Sequence, residues 1–262
     1  MAALRCLERV GDFFLTVLLW AYFLFGYLFL LLFLFVPSLL RLKDSAAALQ
    51  KMNFLHLKIF FAWLRLLAPR ARFAVDENVR SLRSSIIVCN HVSYLDPILL
   101  VSLFERQTTI VKNTFFRVPI FGWFLRKAGY VPSSPSSEIF DPAMTANLEK
   151  IKSHLDSGGN LFVFPEGTRS RGRLLPFNKG VFSIARYCRT GVKLVFLENT
   201  DALFPPGSFS FRMGAQTTVT VQLLATLEPD YTAPDFSLAA TAEEARRIFA
   251  QKIAAARQAV RL

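Results

Sequence analysis

The sequence predicts an α/β fold: a mostly parallel or mixed sheet covered by helices, preceded by an N-terminal hydrophobic membrane helix or helical hairpin. Three observations lead there. Short apolar runs at residues 86–89, 161–164 and 192–197 alternate with stretches of helical periodicity. Asp-Pro pairs at Asp96-Pro97 and Asp141-Pro142 carry the chemistry of a helix start. Ahead of them, residues 13–40 contain no charged side chain, and roughly 20 apolar residues suffice to cross a bilayer.

In chain order, Arg5 and Arg9 are offset by Glu8 and Asp12. The apolar stretch is too long for a cleaved signal peptide, whose apolar region is about 7–15 residues. It reads either as one tilted helix or as a hairpin broken near Gly26 or Pro37. Arg41, Lys43, Lys51, Lys58, Arg65, Arg70 and Arg72 follow it. That basic flank predicts a membrane protein whose catalytic domain lies on the cytoplasmic side, facing a lipid bilayer with anionic lipids. Residues 52–68 read as an amphipathic helix, either interfacial or packed in a core. Pro69 closes it. The expected domains are an anchor with its interfacial helix over 1–69 and a catalytic domain over 70–262.

Within the second domain, strands are expected at 72–75, 86–89, 108–111, 161–164, 192–197 and 217–225. A helix is expected over 96–105, and an apolar helix or turn over 118–125. Pro132 and the serines after it predict a loop over 132–137. The next helix opens at Pro142, shows Met144, Leu148, Ile151 and Leu155 at helical spacing, and ends at Gly158-Gly159. Helices over 179–189, stopping at Gly191, and over 241–261 complete the pattern.

Composition narrows the function classes. The 262 residues carry a net charge of +12, yet no nucleic-acid motif is present, so nucleic acid is not expected as a partner. The 53% hydrophobic content and 27 phenylalanines suit a chain that works at lipid. Cys6, Cys89 and Cys188 have no metal or redox spacing, which predicts a reducing compartment and a core role for Cys89. His56, His91 and His154 lack ligand spacing, so no metal and no cofactor is expected.

Two stretches carry chemistry. The first is Asn90-His91-Val92-Ser93-Tyr94-Leu95-Asp96, directly after the run at 86–89. It puts an imidazole at a strand end and a carboxylate at the next helix start. Asp96 is either the orienting partner of a His91 base or only a helix cap. The second is Phe164-Pro165-Glu166-Gly167-Thr168-Arg169-Ser170 after the run at 161–164. Ligands gather outside the carboxyl ends of strands in such sheets. Pro165 and Gly167 shape a turn, Arg169 offers a fork for phosphate, and Glu166 could hold Arg169 or a substrate hydroxyl. Arg171, Arg173 and Lys179 add positive charge.

Together these stretches resemble the glycerolipid acyltransferase family, which includes 1-acylglycerol-3-phosphate and lysophospholipid acyltransferases. The first matches the family's Asn-His-x4-Asp signature. The second matches its Phe-Pro-Glu-Gly-Thr-Arg-Ser signature in full, and Lys112, Pro119 and Gly122 match an intermediate Lys, Pro, Gly pattern. The resemblance covers about residues 70–210. It implies acyl transfer from an acyl thioester, acyl-CoA or acyl carrier protein, to the hydroxyl of a lysolipid acceptor such as 1-acylglycerol 3-phosphate. It implies His91 as general base, Asp96 as its orienting partner, and Asn90, Ser93, Lys112, Glu166, Gly167, Thr168 and Arg169 as substrate-binding. The sequence departs from the family at Gly129-Tyr130-Val131-Pro132-Ser133-Ser134, where an Arg is frequent, and at residues 191–197, which contain no proline. These departures keep another lysophospholipid or an amino-acid lipid open as acceptor.

Overall fold

The computed structural model describes residues 2–30, 32, 45–119, 121–133, 142–170 and 173–259. Helix α1 (Ala2–Ala21) runs through a π-helical turn (Tyr22–Gly26) into α2 (Tyr27–Leu30). Then come α3 (Ser45–Leu67), β1 (Ala71–Val75), α4 (Glu77–Arg80), β2 (Ile86–Cys89) and α5 (Leu95–Val101). Strand β3 (Gln107–Val111) leads through a 3-10 turn (Asn113–Arg117) to α6 (Phe121–Lys127), β4 (Val131–Pro132) and α7 (Pro142–Asp156). Strand β5 (Asn160–Val163), α8 (Gly180–Cys188), β6 (Val192–Glu198), α9 (Thr200–Leu203), β7 (Thr217–Leu227) and α10 (Leu238–Ala259) complete the chain.

The strands form one sheet in the order β1-β7-β6-β2-β5-β3-β4. The pairings of β2 with β5 and β6, and of β3 with β4 and β5, are parallel. Each expected strand is present within one or two residues of its predicted bounds. The four-residue helices α4 and α9 and the two-residue strand β4 are too short to leave a periodic signal. Helix α8 ends earlier than Gly191 suggests. Arg189 adopts a left-handed conformation, φ 51°, directly after Cys188 and closes the helix there.

The chain separates into two compact units. The first comprises Met1–Ala74, Val92–Arg106 and Glu198–Thr220; the second comprises Val75–His91, Gln107–Leu197 and Val221–Leu262.

In the second unit the central strands are buried on both faces, with Ile86, Ile87, Val88 and Cys89 of β2 all fully inaccessible. That is the expected state of parallel strands and explains their unbroken apolar runs. On one face, Val88, Leu161, Val163 and Leu194 join Ile151 and Leu155 of α7, Phe182 and Ala185 of α8, and Ala245 and Phe249 of α10 in one core. Gly122 on α6 approaches the Phe116 carbonyl so closely that a Cβ there would lie 2.1 Å from the oxygen. Only glycine lets α6 fold back on the 3-10 turn.

The first unit is built from aromatic contacts. Phe204 and Phe211 pack at 4.5 Å, with Trp20 at 5.9 and 6.2 Å from them and Phe60 at 6.2 Å from Phe211. Polar residues of α1 pin the same loop. Thr16 Oγ1 accepts from the Phe211 amide at 2.9 Å, and Asp12 Oδ1 accepts from the Met213 amide at 3.0 Å. The helix is bulged rather than broken before Gly26. In that bulge Tyr22 stacks on His56 at 4.9 Å and its hydroxyl donates to the His56 carbonyl.

Large apolar side chains stay exposed in this unit. They include Phe13, Phe14, Val17 and Leu18 on α1, and Leu55, Ile59, Trp63 and Leu66 on α3. Among the described residues no helix is long and apolar enough to cross a membrane. Pro37, Arg41, Lys43, Asp141, Arg171 and most of the Pro-Ser loop lie outside the described residues.

His56 supplies a pH test. Burial pushes its imidazole down to about 4. Above the unfolded value near 6.5 both states are neutral. Below it, the unfolded chain takes up a proton that the folded chain refuses, so stability falls as pH drops from about 6.5 to about 4. Thermal unfolding in detergent across this window is expected to show that fall, and His56→Phe is expected to flatten it.

Candidate active site

In the second unit, the carboxyl ends of three neighbouring parallel strands present the predicted residues. β2 delivers Asn90 and His91, β5 delivers Phe164 to Arg169, and β3 delivers Lys112. The order β2-β5-β3 puts all three ends on one edge of the sheet, the edge where open α/β sheets bind ligands.

Asn90 is 2% exposed and extends the sheet with its side chain. Its Nδ2 donates to the Leu197 carbonyl and its Oδ1 accepts from the Leu197 amide, each at 2.8 Å. These two bonds lock the end of β2 to β6. The half-buried His91 ring stacks on Phe164, 4.4 Å between centroids. The His91 amide donates to Glu166 Oε1 at 3.2 Å, and its carbonyl accepts from the Ser170 amide at 2.7 Å and from Ser170 Oγ at 3.0 Å. The segment after β5 therefore grips the His91 backbone from both sides of the residue.

Glu166 is buried, and its second oxygen accepts from the Leu175 amide at 2.9 Å. Its carboxylate ties the strand β2 terminus to the following loop. The turn itself closes with the Gly167 amide donating to the Phe164 carbonyl at 3.0 Å. Gly167 sits at φ +65°, a conformation most side chains resist. Gly167 and Thr168 are exposed and Arg169 is half-buried. Lys112 is exposed where β3 gives way to the 3-10 turn. Beside it, β4 pairs Val131 with Ile110 and Pro132 with Val111, and the Ser133 amide donates to the Val111 carbonyl at 2.8 Å.

In the first unit, Asp96 is fully buried. It does not cap α5, whose N-cap is Tyr94. Its carboxylate instead turns back: Oδ2 accepts from the Val92 and Ser93 amides at 2.6 and 2.8 Å, and Oδ1 accepts from Thr200 Oγ1 at 2.5 Å. A buried carboxylate needs such donors, and hydrogen bonds to an ionised group are the strong ones. Ser93, also fully buried, donates its hydroxyl to the Phe204 carbonyl at 2.8 Å and accepts from the Leu95 amide at 3.2 Å. Like Asn90, it holds the motif's main chain. Thr200 and Ser170 escaped the sequence reading. Thr200 is over a hundred positions away from Asp96 with no local pattern, whereas Ser170 is the last letter of a motif already in view.

A family model described as acyltransferase matches residues 70–196. A chloroplastic 1-acyl-sn-glycerol-3-phosphate acyltransferase of Brassica napus is 39% identical over 129 residues, 47% of this chain and 35% of that protein. The 1-acyl-sn-glycerol-3-phosphate acyltransferase of Saccharomyces cerevisiae is 30% identical over 163 residues, 60% of this chain and 52% of that protein. The matched stretch therefore spans between about a third and about half of these relatives. The crystal structure of a 1-acyl-sn-glycerophosphate acyltransferase from Thermotoga maritima superposes with a TM-score of 0.66 at 23% identity, covering 96% of this chain and 98% of the other. At that identity the likeness establishes the fold.

Asn90→Ala removes both bonds to Leu197 from a buried site and leaves that amide and carbonyl unpaired. The expected loss is about 2–4 kcal/mol, taking roughly 1–2 kcal/mol per bond. Chemical denaturation of the purified variant measures it.

Proposed function

Residues 70–196 belong to the glycerolipid acyltransferase family, and on that premise we propose that the protein is a membrane-bound O-acyltransferase. It moves a fatty acyl group from a thioester, acyl-CoA or acyl carrier protein, to the free hydroxyl of 1-acylglycerol 3-phosphate, giving phosphatidate. The observation that carries this reading is the presence of both signatures, intact, at the ends of adjacent parallel strands β2 and β5.

His91 is the general base in this scheme. It takes the proton as the acceptor oxygen attacks the thioester carbonyl. The C–S bond breaks, and the proton passes to the departing thiolate. Asp96 orients His91 and steadies its positive charge, a pairing supported by the signature's spacing and by the need of an imidazolium for a fixed counter-charge. Arg169 and Lys112 receive the acceptor phosphate, the first as a planar fork, the second as a point charge. Thr168 and Gly167 line the same turn. Asn90, Ser93 and Glu166 serve by fixing backbone.

Lys112 matters for the acceptor because the Arg frequent in the family's second block is absent. The Tyr130 to Ser133 segment, which replaces it, runs beside the end of β3. That departure favours a second reading, the same transfer to another lysophospholipid or an amino-acid lipid. Membrane attachment is supported by the uncharged stretch 13–40 and by the exposed apolar side chains of α1 and α3. The basic flank supports a cytoplasmic catalytic face.

Membranes containing the protein, given labelled acyl donors and a panel of lysolipids, are expected to acylate 1-acylglycerol 3-phosphate most efficiently. His91→Ala is expected to lower turnover about 10²–10⁴-fold with membrane association intact. Near-normal turnover in that variant would end the mechanism.

Thr200→Val removes one donor from Asp96 at nearly constant volume. Turnover is expected to fall about tenfold, the scale of one hydrogen bond to a charged group, with the KM for acceptor unchanged. Thr200→Ser is expected to restore it. A parallel loss in valine and serine variants would reduce Thr200 to packing.

A further inference from the structure

The first unit contains a concavity of about 780 Å³ that includes none of the residues assigned above. Its wall carries Arg70, Arg72, Asn199, Gln216, Thr217 and Thr218. The volume is in the range of small-ligand sites, but the lining is polar rather than apolar. Two arginines line it and no acidic residue does. Among the described residues neither Arg70 nor Arg72 has an ion-pair partner. Asn199 braces the wall. It adopts a left-handed conformation, φ 64°, and its side-chain Nδ2 donates to the Thr218 carbonyl at 2.9 Å.

Two uncompensated guanidinium groups with neutral hydroxyl and amide donors suit a phosphate group. The neighbouring sequence indicates where that phosphate comes from. Pro69, also in the wall, follows α3 closely, and α3 exposes Leu55, Ile59, Trp63 and Leu66 along one face, Leu66 at 67%. An apolar helical stripe followed within a few residues by the arginines of a cationic pocket suits a molecule with acyl chains and an anionic head. We propose that this pocket binds the phosphate headgroup of an anionic bilayer phospholipid, at a site that uses neither the signature residues nor the acceptor contacts. It adds to the membrane attachment proposed above without depending on acyl transfer.

The test is flotation of the intact protein with neutral phosphatidylcholine vesicles and with vesicles also containing phosphatidylglycerol, at constant salt. Phosphatidylglycerol is neither acceptor nor product of the proposed reaction. The native protein is expected to prefer the anionic vesicles. Arg70→Gln with Arg72→Gln is expected to weaken that binding roughly 10–30-fold, from about one decade or less per basic group at an anionic surface. Binding to neutral vesicles and turnover on detergent-dispersed acceptor are expected to stay unchanged. Lys127→Gln with Arg247→Gln removes equal charge elsewhere and is expected to keep the preference. If this control loses as much as the pocket variant, bulk charge explains the effect and the site is overturned. If glycerol 3-phosphate or coenzyme A binds the native protein and not the pocket variant, while vesicle preference is absent, the phosphate comes from solution and the lipid assignment fails.

Discussion

The backbone of His91 is held before its side chain does anything. Its amide and carbonyl are both bound by the segment after β5, through Glu166 and Ser170, and the residue before it is locked to β6 through Asn90. Strand ends ordinarily fray because their last amides and carbonyls lack neighbours. Here Glu166 and Ser170 supply the missing partners of His91, and the Asn90 side chain ties the residue before it to β6. For the general base proposed at this position, which must meet a proton within about 3 Å, such fixation of the backbone matters.

The same logic governs the buried carboxylate of the first unit. Removing Asp96 from water without donors would cost several kcal/mol. Two amides of its own turn and the Thr200 hydroxyl answer that cost. The short helix α9 has a reason to exist in this light: it presents Thr200 at its first residue. Asn199 before it takes the left-handed conformation that turns the chain from β6 into that helix, and the same residue braces the cationic pocket.

What was legible in the sequence follows from how local each signal is. Runs such as Ile86–Cys89 are readable because parallel central strands bury every side chain. The Asp-Pro pair at 96–97 announces a helix, yet it hides that the carboxylate points backward, a matter of rotamer and of a distant threonine. The division into units was not readable, because residues 92–106 and 198–220 join the N-terminal helices through contacts far apart in sequence, such as Asp12 with Met213. The sequence leaves one tilted helix and a hairpin broken near Gly26 or Pro37 both open. The π-turn that forms there carries Tyr22 onto His56, thirty-four positions away, a contact no local pattern announces.

A motif letter can be kept for chemistry or for architecture, and the two are separable here by burial. Asn90, Ser93 and Glu166 are each 9% exposed or less, with side-chain atoms bound to main chain. Lys112, Gly167, Thr168 and Arg169 are exposed or half-buried. Among the second group the charged residues, Lys112 and Arg169, are cations. Recognition built on cations discriminates by the acceptor's negative charge and only weakly by the rest of its head. The acceptor proposed above, a lysolipid with a phosphate monoester, carries more charge than a diester and so suits such cations best.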